Sequence, residues 1–267
     1  MTTSENSRII ITSGIERLAI EGAELFRSSA VASVARTGFF TVAVSGGSTP
    51  RPMHRLLAEN PYRSGIPWQV THLFWADERL VPVTDPDSNF GNAERDFLKQ
   101  LTIPAGNLHP MSSRKPPAEA VDDYEQELRR HFSRIASTEP VFDLIVLGVG
   151  EDGHTASIFP GDRSAVETTR WVTAVKGGTP NVERLTLTLP VLNQARRIVF
   201  LVSGSKKAVV VRSLLTDASA QLPPQRIAPQ HGEIIWLLDG EAAALLPQDL
   251  PRCIRKRCIR KNRGGPL

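Results

Sequence analysis

The stretch FDLIVLGVGEDGH, residues 142–154, joins an apolar run to a glycine-rich turn that ends in a histidine. An apolar run without polar alternation is typical of a strand that is covered on both faces of a parallel sheet. Ligands of such sheets bind beyond the carboxyl ends of the strands. The stretch therefore predicts a buried strand whose following turn presents His154 to a binding site.

Four more apolar runs repeat this strand pattern, and segments of helical period lie between them. The alternation predicts an α/β protein with an open, mostly parallel sheet flanked by helices. The further strands are FFTVAVS (39–45), VTHLFW (70–75), RIVFLVS (197–203) and EIIWLL (233–238), and the helices cover roughly 14–36, 50–59, 92–101, 117–136 and 206–215.

The positive charge of the chain is concentrated near its C-terminus. Of 267 residues with a formal net charge of +4, the segment RCIRKRCIRKNR (252–263) carries seven positive charges and no acid, which leaves the rest near −3. We therefore expect one α/β domain over 1–247 that binds no nucleic acid, followed by a basic, disordered tail over 248–267. A basic tail can also hold nucleic acid or an anionic membrane surface.

Sequence features of secretion and membrane insertion are absent. The first 30 residues lack the three-part pattern of a signal peptide, and no apolar run approaches the ~20 residues of a membrane span. Both cysteines, Cys253 and Cys258, lie in the tail, so the body has neither a disulfide nor a cysteine-based metal site. We expect a cytoplasmic protein with no membrane partner.

Two glycine turns follow predicted strands and favour anion binding. In SGGSTP (45–50), Thr49 can cap a helix that starts at Pro50, so the N–H groups of the turn face outward. A flexible connection is the alternative. In SGSKK (203–207), Ser205 can cap the next helix and place Lys206 and Lys207 in its first turn, where a bound anion would offset their repulsion by the helix dipole. A solvated lysine pair explains this second turn equally well.

The turn GVGEDG (148–153) matches the dinucleotide pattern G-x-G-x-x-G, but its context argues against that use. Glu151 and Asp152 would repel a pyrophosphate, and the following strand, WVTAVK (171–176), offers no acid for a ribose. As a catalytic loop the residues are consistent, because Asp152 can accept a hydrogen bond from one ring nitrogen of His154 and leave the other as a base. A histidine with a purely structural role is the alternative.

Five blocks of sequence follow one another along the chain: SGGSTP, WADERLVP (75–82) with DSNFGNA (87–93), LGVGEDGHTASIFPG (147–161), VERLTLTLPVLN (182–193) and LVSGSKK (201–207). In the order and spacing of these blocks the chain resembles the 6-phosphogluconolactonases over roughly residues 10–245, and it is also similar to the related glucosamine-6-phosphate deaminases and isomerases. The resemblance implies a Rossmann-like α/β sheet and hydrolysis of 6-phosphoglucono-δ-lactone to 6-phosphogluconate in the oxidative pentose phosphate pathway.

The resemblance also implies roles for individual residues. His154, oriented by Asp152, would act as base for a water that attacks the lactone carbonyl, and Arg79 or loop N–H groups would stabilise the oxyanion. Asp77 and Asn89 would contact the sugar. The phosphate would be held by Gly46, Gly47, Ser48 and Thr49, with Arg184 and Lys206 as charged partners.

Two other function classes stay open. The deaminases carry a glutamate five residues after the loop histidine, where this chain has Phe159, so ring opening is poorly supported. A non-catalytic sugar-phosphate sensor would normally carry a DNA-binding unit, and no helix-turn-helix segment precedes Phe39. We expect a small-molecule lactone as the partner, a monomer or weak dimer, no cofactor and no metal, since the histidines lack a spacing such as H-E-x-x-H.

Overall fold

The computed structural model describes residues 7–248, 250 and 253–254. Eight strands form a sheet in the order β11-β1-β10-β9-β6-β2-β3-β5, and every neighbouring pair is parallel. Three strands form a small antiparallel sheet in the order β4-β8-β7. The strands are β1 (Ser7–Thr12), β2 (Phe40–Val44), β3 (Thr71–Trp75), β4 (Asp77–Arg79), β5 (Leu108–His109), β6 (Leu144–Leu147), β7 (Val172–Gly177), β8 (Val182–Leu187), β9 (Arg197–Val202), β10 (Glu233–Asp239) and β11 (Cys253–Ile254).

Helices connect the parallel strands. The α-helices are α1 (Ile15–Thr37), α2 (Arg51–Leu57), α3 (Tyr62–Gly65), α4 (Asn89–Asp96), α5 (Pro117–Arg134), α6 (Leu189–Leu192) and α7 (Ala208–Thr216). Short 3₁₀ helices lie at Trp68–Val70, Leu98–Gln100, Ala105–Asn107, Arg163–Ala165, Ser205–Lys207, Ala218–Ala220 and Pro223–Arg226.

Local sequence signals explain several helix ends. Helix α1 ends at Gly38, whose φ of 85° is left-handed and whose N–H donates to Val34 O. Helix α5 begins with Pro117, which suits a first-turn position because its missing N–H would have no intrahelical partner. Ser88 caps α4 by accepting a hydrogen bond from Gly91 N.

The central strands are buried on both faces, as their continuous apolar runs predict. All five residues of β2 and all four of β6 are buried. They belong to a hydrophobic cluster that includes apolar residues of the sheet and of helices α1, α5 and α7. The predicted fold class, an open and mostly parallel α/β sheet flanked by helices, is confirmed.

The sheet order creates a crevice between β2 and β6. Strands β2 and β6 are hydrogen-bonded neighbours in the main sheet. The next strand of this sheet after β2 is β3, on one side of the pair, whereas the next after β6 is β9, on the other side. Connections that leave in opposite directions open a gap at the carboxyl ends of the two strands. The turn at 45–50 and the turn at 148–153 therefore face each other across this crevice.

Some local expectations are wrong. Helix α2 begins at Arg51 without a side-chain cap, so Thr49 and Pro50 belong to the turn before it.

Within the predicted disordered tail, Cys253–Ile254 pairs with β1 as a two-residue strand. Residues 249, 251–252 and 255–267 lie outside the described residues, so the rest of that prediction and the domain boundary at 247 stay predictions. No helix among the described residues is long and apolar enough to cross a membrane.

Candidate active site

A cavity lies in the crevice between β2 and β6, and the loops that follow β2, β3, β6 and β9 supply much of its lining. Nine of the predicted site residues line it, whereas Asp152 stands behind His154 and Lys206 is absent from it. The lining residues are Ser45, Gly46, Gly47, Ser48, Thr49, Pro50, Asp77, Arg79, Asn89, Gly148, Val149, Gly150, His154, Ala156, Arg184 and Lys207.

The loop after β6 is shaped to present His154. It closes through hydrogen bonds from Gly150 N to His154 O (2.8 Å) and from Gly153 N to Gly150 O (3.1 Å). Gly153 has a φ of 86°, which favours glycine. A Cβ on Gly150 would lie 2.1 Å from His154 Nδ1, so a larger residue would displace the ring. Gly150 and Gly153 are therefore needed to position the His154 ring. This requirement explains the glycines of the G-x-G-x-x-G pattern without a bound dinucleotide.

His154 and Asp152 form a hydrogen-bonded pair. His154 Nδ1 lies 2.6 Å from Asp152 Oδ1, and the backbone N–H of His154 donates to the same oxygen at 3.2 Å. Burial raises the pKa of Asp152, but the neighbouring His154 charge and hydrogen bonds outweigh it, so that pKa lies below its usual range. An ionised Asp152 can only accept a hydrogen bond, so the proton of this contact lies on Nδ1 of His154. Nε2 has no hydrogen-bond partner in the described part of the chain and can accept a proton.

Phe159 provides an apolar wall beside two polar side chains. Its ring centroid lies 4.9 Å from that of His154, and the Arg184 guanidinium carbon lies 5.8 Å from the same ring. A hydrocarbon ring cannot donate or accept a proton. Position 159 is therefore occupied by a group that packs against its neighbours and cannot relay a proton.

The turn after β2 offers backbone donors. Across residues 7–248, no acceptor receives the N–H groups of Gly46, Gly47, Ser48 or Thr49. Gly47 has a φ of 96°. A Cβ on Gly46 would lie 1.8 Å from Asn89 Oδ1, so only glycine lets the turn approach α4 this closely. The turn can thus surround an anion with N–H groups, and the anion site itself stays a prediction.

The lysine of the cavity is Lys207, and the prediction of Lys206 is corrected by this placement. Ser205–Lys207 forms a 3₁₀ turn and α7 begins only at Ala208, so Ser205 does not cap that helix. Lys206 is exposed, whereas Lys207 is half-buried and lines the cavity. Burial lowers the pKa of Lys207, although the nearby Glu151 and Asp152 oppose this effect. A desolvated ammonium gains more from a bound anion than an exposed one.

Two arginines from the small sheet meet at the cavity. Arg79 of β4 and Arg184 of β8 are register partners. Arg184 is only 2% exposed and donates from Nε to Gly177 O (2.8 Å) and from Nη2 to Pro180 O (3.1 Å), while its Nη1 donates to no described residue. Burial and the like charge of Arg79 lower the pKa of Arg184. Two neighbouring cations of this kind are stabilised by an anion between or beside them.

A buried polar group lies next to the arginines. Asp77 Oδ2 accepts a hydrogen bond from Ser157 Oγ (2.8 Å), and Asn89 Nδ2 donates to Asp77 O (2.8 Å). Asn89 Oδ1, Arg79 Nε and Ser45 Oγ are buried and have no hydrogen-bond partner among the described residues. Unpaired buried polar atoms are rare and costly, and three around one cavity indicate a polar ligand.

Two residues of this region were missed by sequence reasoning. Ser157 lies within the block LGVGEDGHTASIFPG (147–161), but the block assigns it no role, and only the fold brings it to Asp77. Glu78 accepts hydrogen bonds from the N–H groups of Asn89 and Phe90, both at 2.7 Å, and thereby holds the first turn of α4. Burial raises the pKa of Glu78 to about 7, against those hydrogen bonds. Successive side chains of a strand point to opposite faces. Asp77 and Arg79 therefore line the cavity, whereas Glu78 between them bonds to α4.

Similarity to known proteins extends over the whole cavity. A family model described as glucosamine-6-phosphate isomerases/6-phosphogluconolactonase matches residues 14–236. The chain is 42% identical over 212 residues to a 6-phosphogluconolactonase of Synechocystis sp., which covers 79% of this chain and 86% of that protein. The solved 6-phosphogluconolactonase of Thermotoga maritima has a TM-score of 0.76 and 30% identity, covering 87% of this chain and 99% of that one. That of Trypanosoma brucei has a TM-score of 0.80 and 28% identity, covering 91% and 100%.

Proposed function

The chain belongs to the glucosamine-6-phosphate isomerase/6-phosphogluconolactonase family, and we propose that it hydrolyses 6-phosphoglucono-δ-lactone to 6-phosphogluconate. The reaction is the second step of the oxidative pentose phosphate pathway. The observation that carries this proposal is the His154–Asp152 pair. Its histidine lines a cavity that is rich in hydrogen-bond donors and positive charges suited to an anion. The relatives that bear the name of this activity support it.

The chemical step needs a base, an oxyanion donor and a proton donor. Nε2 of His154 takes a proton from water while the water oxygen bonds to C1 of the lactone, and the carbonyl electrons move to its oxygen. Arg79, which lines the cavity, stabilises that oxyanion in the proposed mechanism. When the carbonyl re-forms, the bond from C1 to the ring oxygen breaks and the ring oxygen takes the proton from His154. The open-chain acid then loses its own proton to solvent.

Binding of the 6-phosphate uses the other half of the cavity. The N–H groups at positions 46–49 surround the phosphate oxygens, and Lys207 supplies a point charge in place of the predicted Lys206. Arg184 contributes through Nη1, because Nε and Nη2 are engaged by backbone carbonyls. Arg184 therefore has one free nitrogen for the phosphate and does not donate two parallel hydrogen bonds to it. Asp77 and Asn89 face the sugar hydroxyls.

The experiment that tests the proposal is the initial hydrolysis of freshly made lactone, followed by coupling to 6-phosphogluconate dehydrogenase. Wild type must exceed the spontaneous rate, and His154→Ala should lose about 10²–10⁴-fold in kcat, the usual contribution of a general base. Circular dichroism and thermal unfolding of the variant establish that the fold is kept. A folded His154→Ala protein with wild-type rate would remove His154 from the mechanism, and release of ammonia from glucosamine 6-phosphate would point to the deaminase alternative.

The cytoplasmic location and the monomeric or weakly dimeric state remain predictions. Light scattering behind size-exclusion chromatography at several protein concentrations tests the second of these. A mass that does not change with dilution and equals twice that of one chain would contradict it.

A further inference from the structure

Three histidines that the mechanism does not use meet on the edge of the main sheet. They come from β3 (His72), β5 (His109) and α5 (His131), and one potential ligand atom of each lies within 4.8 Å of the others. None of them lines the cavity of the candidate active site. Because 37 residues separate His72 from His109 and 22 separate His109 from His131, no sequence spacing reveals the group.

Two of the ring nitrogens lie at a separation that an ion could bridge. His72 Nδ1 and His109 Nε2 are 3.1 Å apart and share a hydrogen bond in this structure, whose proton an ion would replace. A zinc ion bound at about 2.0–2.1 Å by tetrahedral nitrogens keeps them about 3.3 Å apart. The rings of His72 and His131 are also close, with centroids 4.5 Å apart. Small side-chain rotations bring three nitrogens around one ion.

Two of the rings carry hydrogen bonds on their other nitrogen. His109 Nδ1 lies 2.7 Å from Glu127 Oε1, and His131 Nε2 lies 2.9 Å from Thr41 Oγ1. A carboxylate or hydroxyl in this position fixes the tautomer and ring orientation of metal-binding histidines and raises their basicity. His109 is then left with Nε2 for an ion and His131 with Nδ1.

The cluster is open to solvent on one side. His109 and His131 are buried, whereas His72 is only half-buried. Solvent can therefore supply a fourth ligand to an ion held by the three rings, as in zinc sites with three protein ligands.

We propose that His72, His109 and His131 bind one divalent zinc-type metal ion, with a water as the fourth ligand. The ion links the edge strand β5 and helix α5 to β3. It lies outside the catalytic cavity, so its effect is on stability and the hydrolytic step does not use it. The proposal rests on the geometry of this cluster and is independent of the proposed function.

The test uses the full chain with Cys253→Ser and Cys258→Ser, so that tail thiols cannot bind the probe. The protein is stripped with a chelator and titrated with Zn²⁺ alone by calorimetry, with metal analysis after dialysis. We expect one Zn²⁺ per chain and a higher unfolding temperature with bound metal. His72→Gln, the least buried change, should weaken binding at least tenfold, and His109→Gln should do the same.

Matched controls locate the ion. His231→Gln alters an exposed histidine and should leave binding unchanged. His154→Gln tests whether Zn²⁺ prefers the active-site pair, and loss of stoichiometric binding in that variant would overturn the proposal. X-ray absorption of the zinc-loaded protein keeps the test independent of whether the variants fold. Three imidazole ligands support the site, and one or none rules it out.

Discussion

Lys206 and Lys207 are neighbours in sequence, but only one of them lines the cavity. Lys207 is half-buried and lines the cavity together with the turn at 45–50, whereas Lys206 is exposed. Under the proposed binding mode, Lys207→Ala removes a charge-assisted hydrogen bond to phosphate, and such a bond contributes about 1.5–3 kcal/mol. We expect KM for the lactone to rise about 10–100-fold, with a smaller change in kcat, in steady-state kinetics.

Lys206→Ala is the matched control for this change, because it removes the same charge from the same 3₁₀ turn. Its KM should stay within about threefold of wild type, as expected for a screened surface charge. If the two variants raised KM equally, the effect of Lys207 would be long-range attraction, and the predicted contact would be wrong.

At the scale of single residues, sequence reasoning works where the partners are close in the chain. Asp152 and His154 are two positions apart, so their hydrogen bond can be predicted from a tight glycine turn. The partner of Ser157 is Asp77, 80 positions away, and only tertiary structure brings them together. The choice between Lys206 and Lys207 depends on the phase of one short turn, which the pattern SGSKK does not specify.

At the scale of elements, the turn after β2 depends on the absence of one side chain. A Cβ on Gly46 would lie 1.8 Å from Asn89 Oδ1, in a place where Asn89 is 3% exposed and bonded to Asp77. Gly46→Ala should therefore displace the Asn89 amide and the turn together, since a packed site cannot absorb the extra methyl. We expect kcat/KM to fall about tenfold or more, because misplaced binding groups are costly to catalysis.

Gly106→Ala provides the comparison, because a Cβ there meets nothing within 4 Å. Both variants add one methyl group, and Gly106 lies outside the cavity lining. Kinetics and thermal unfolding of the pair separate a local effect on the site from a general loss of stability. Wild-type kcat/KM in Gly46→Ala would mean that the contact with α4 relaxes without moving the turn.

Strands and helices can be predicted from the sequence where burial leaves a clear hydrophobic pattern. The strands in 142–147 and 233–238 were found because apolar runs in a sheet covered on both faces have no polar alternation. Helix α2 begins later than predicted, because the glycine turn extends through Pro50 to shape the site. The three-residue β4 carries polar residues and has no strand pattern, so its pairing with β8 was invisible in the sequence.

At the scale of the whole molecule, strand order is the information that the sequence lacks. The alternation of strands and helices predicts a parallel sheet, but the position of the crevice depends on β2 and β6 being neighbours. Pairing between strands about 100 residues apart is decided by packing of the whole core. Once that order is known, the places of both groups of residues follow. The two glycine turns lie at the crevice between β2 and β6, and the three histidines lie where β3 pairs with its other neighbour, β5.

The free energy of unfolding should depend on pH through the buried ionisable group of His54. His54 is buried, stacks on Phe97 with ring centroids 4.9 Å apart, and has a pKa that burial lowers to about 4. In the unfolded chain its pKa is that of a free histidine, about 6.5. Between about pH 6.5 and 4 the unfolded state therefore binds one more proton than the folded state. This contribution to stability is complete above pH 6.5 and is lost as the pH falls towards 4.

His54→Leu removes that proton uptake, so its free energy of unfolding should fall less steeply with acid than that of wild type. The difference is about 1.4 kcal/mol per pH unit over this range, measured by urea unfolding in the presence of a chelator. Carboxylates titrate in both proteins and cancel in the comparison. His231→Leu makes the same substitution at an exposed position and serves as the control for replacing a histidine by leucine. Parallel curves for wild type and His54→Leu would show that the fold opens enough around α2 to protonate His54 without unfolding.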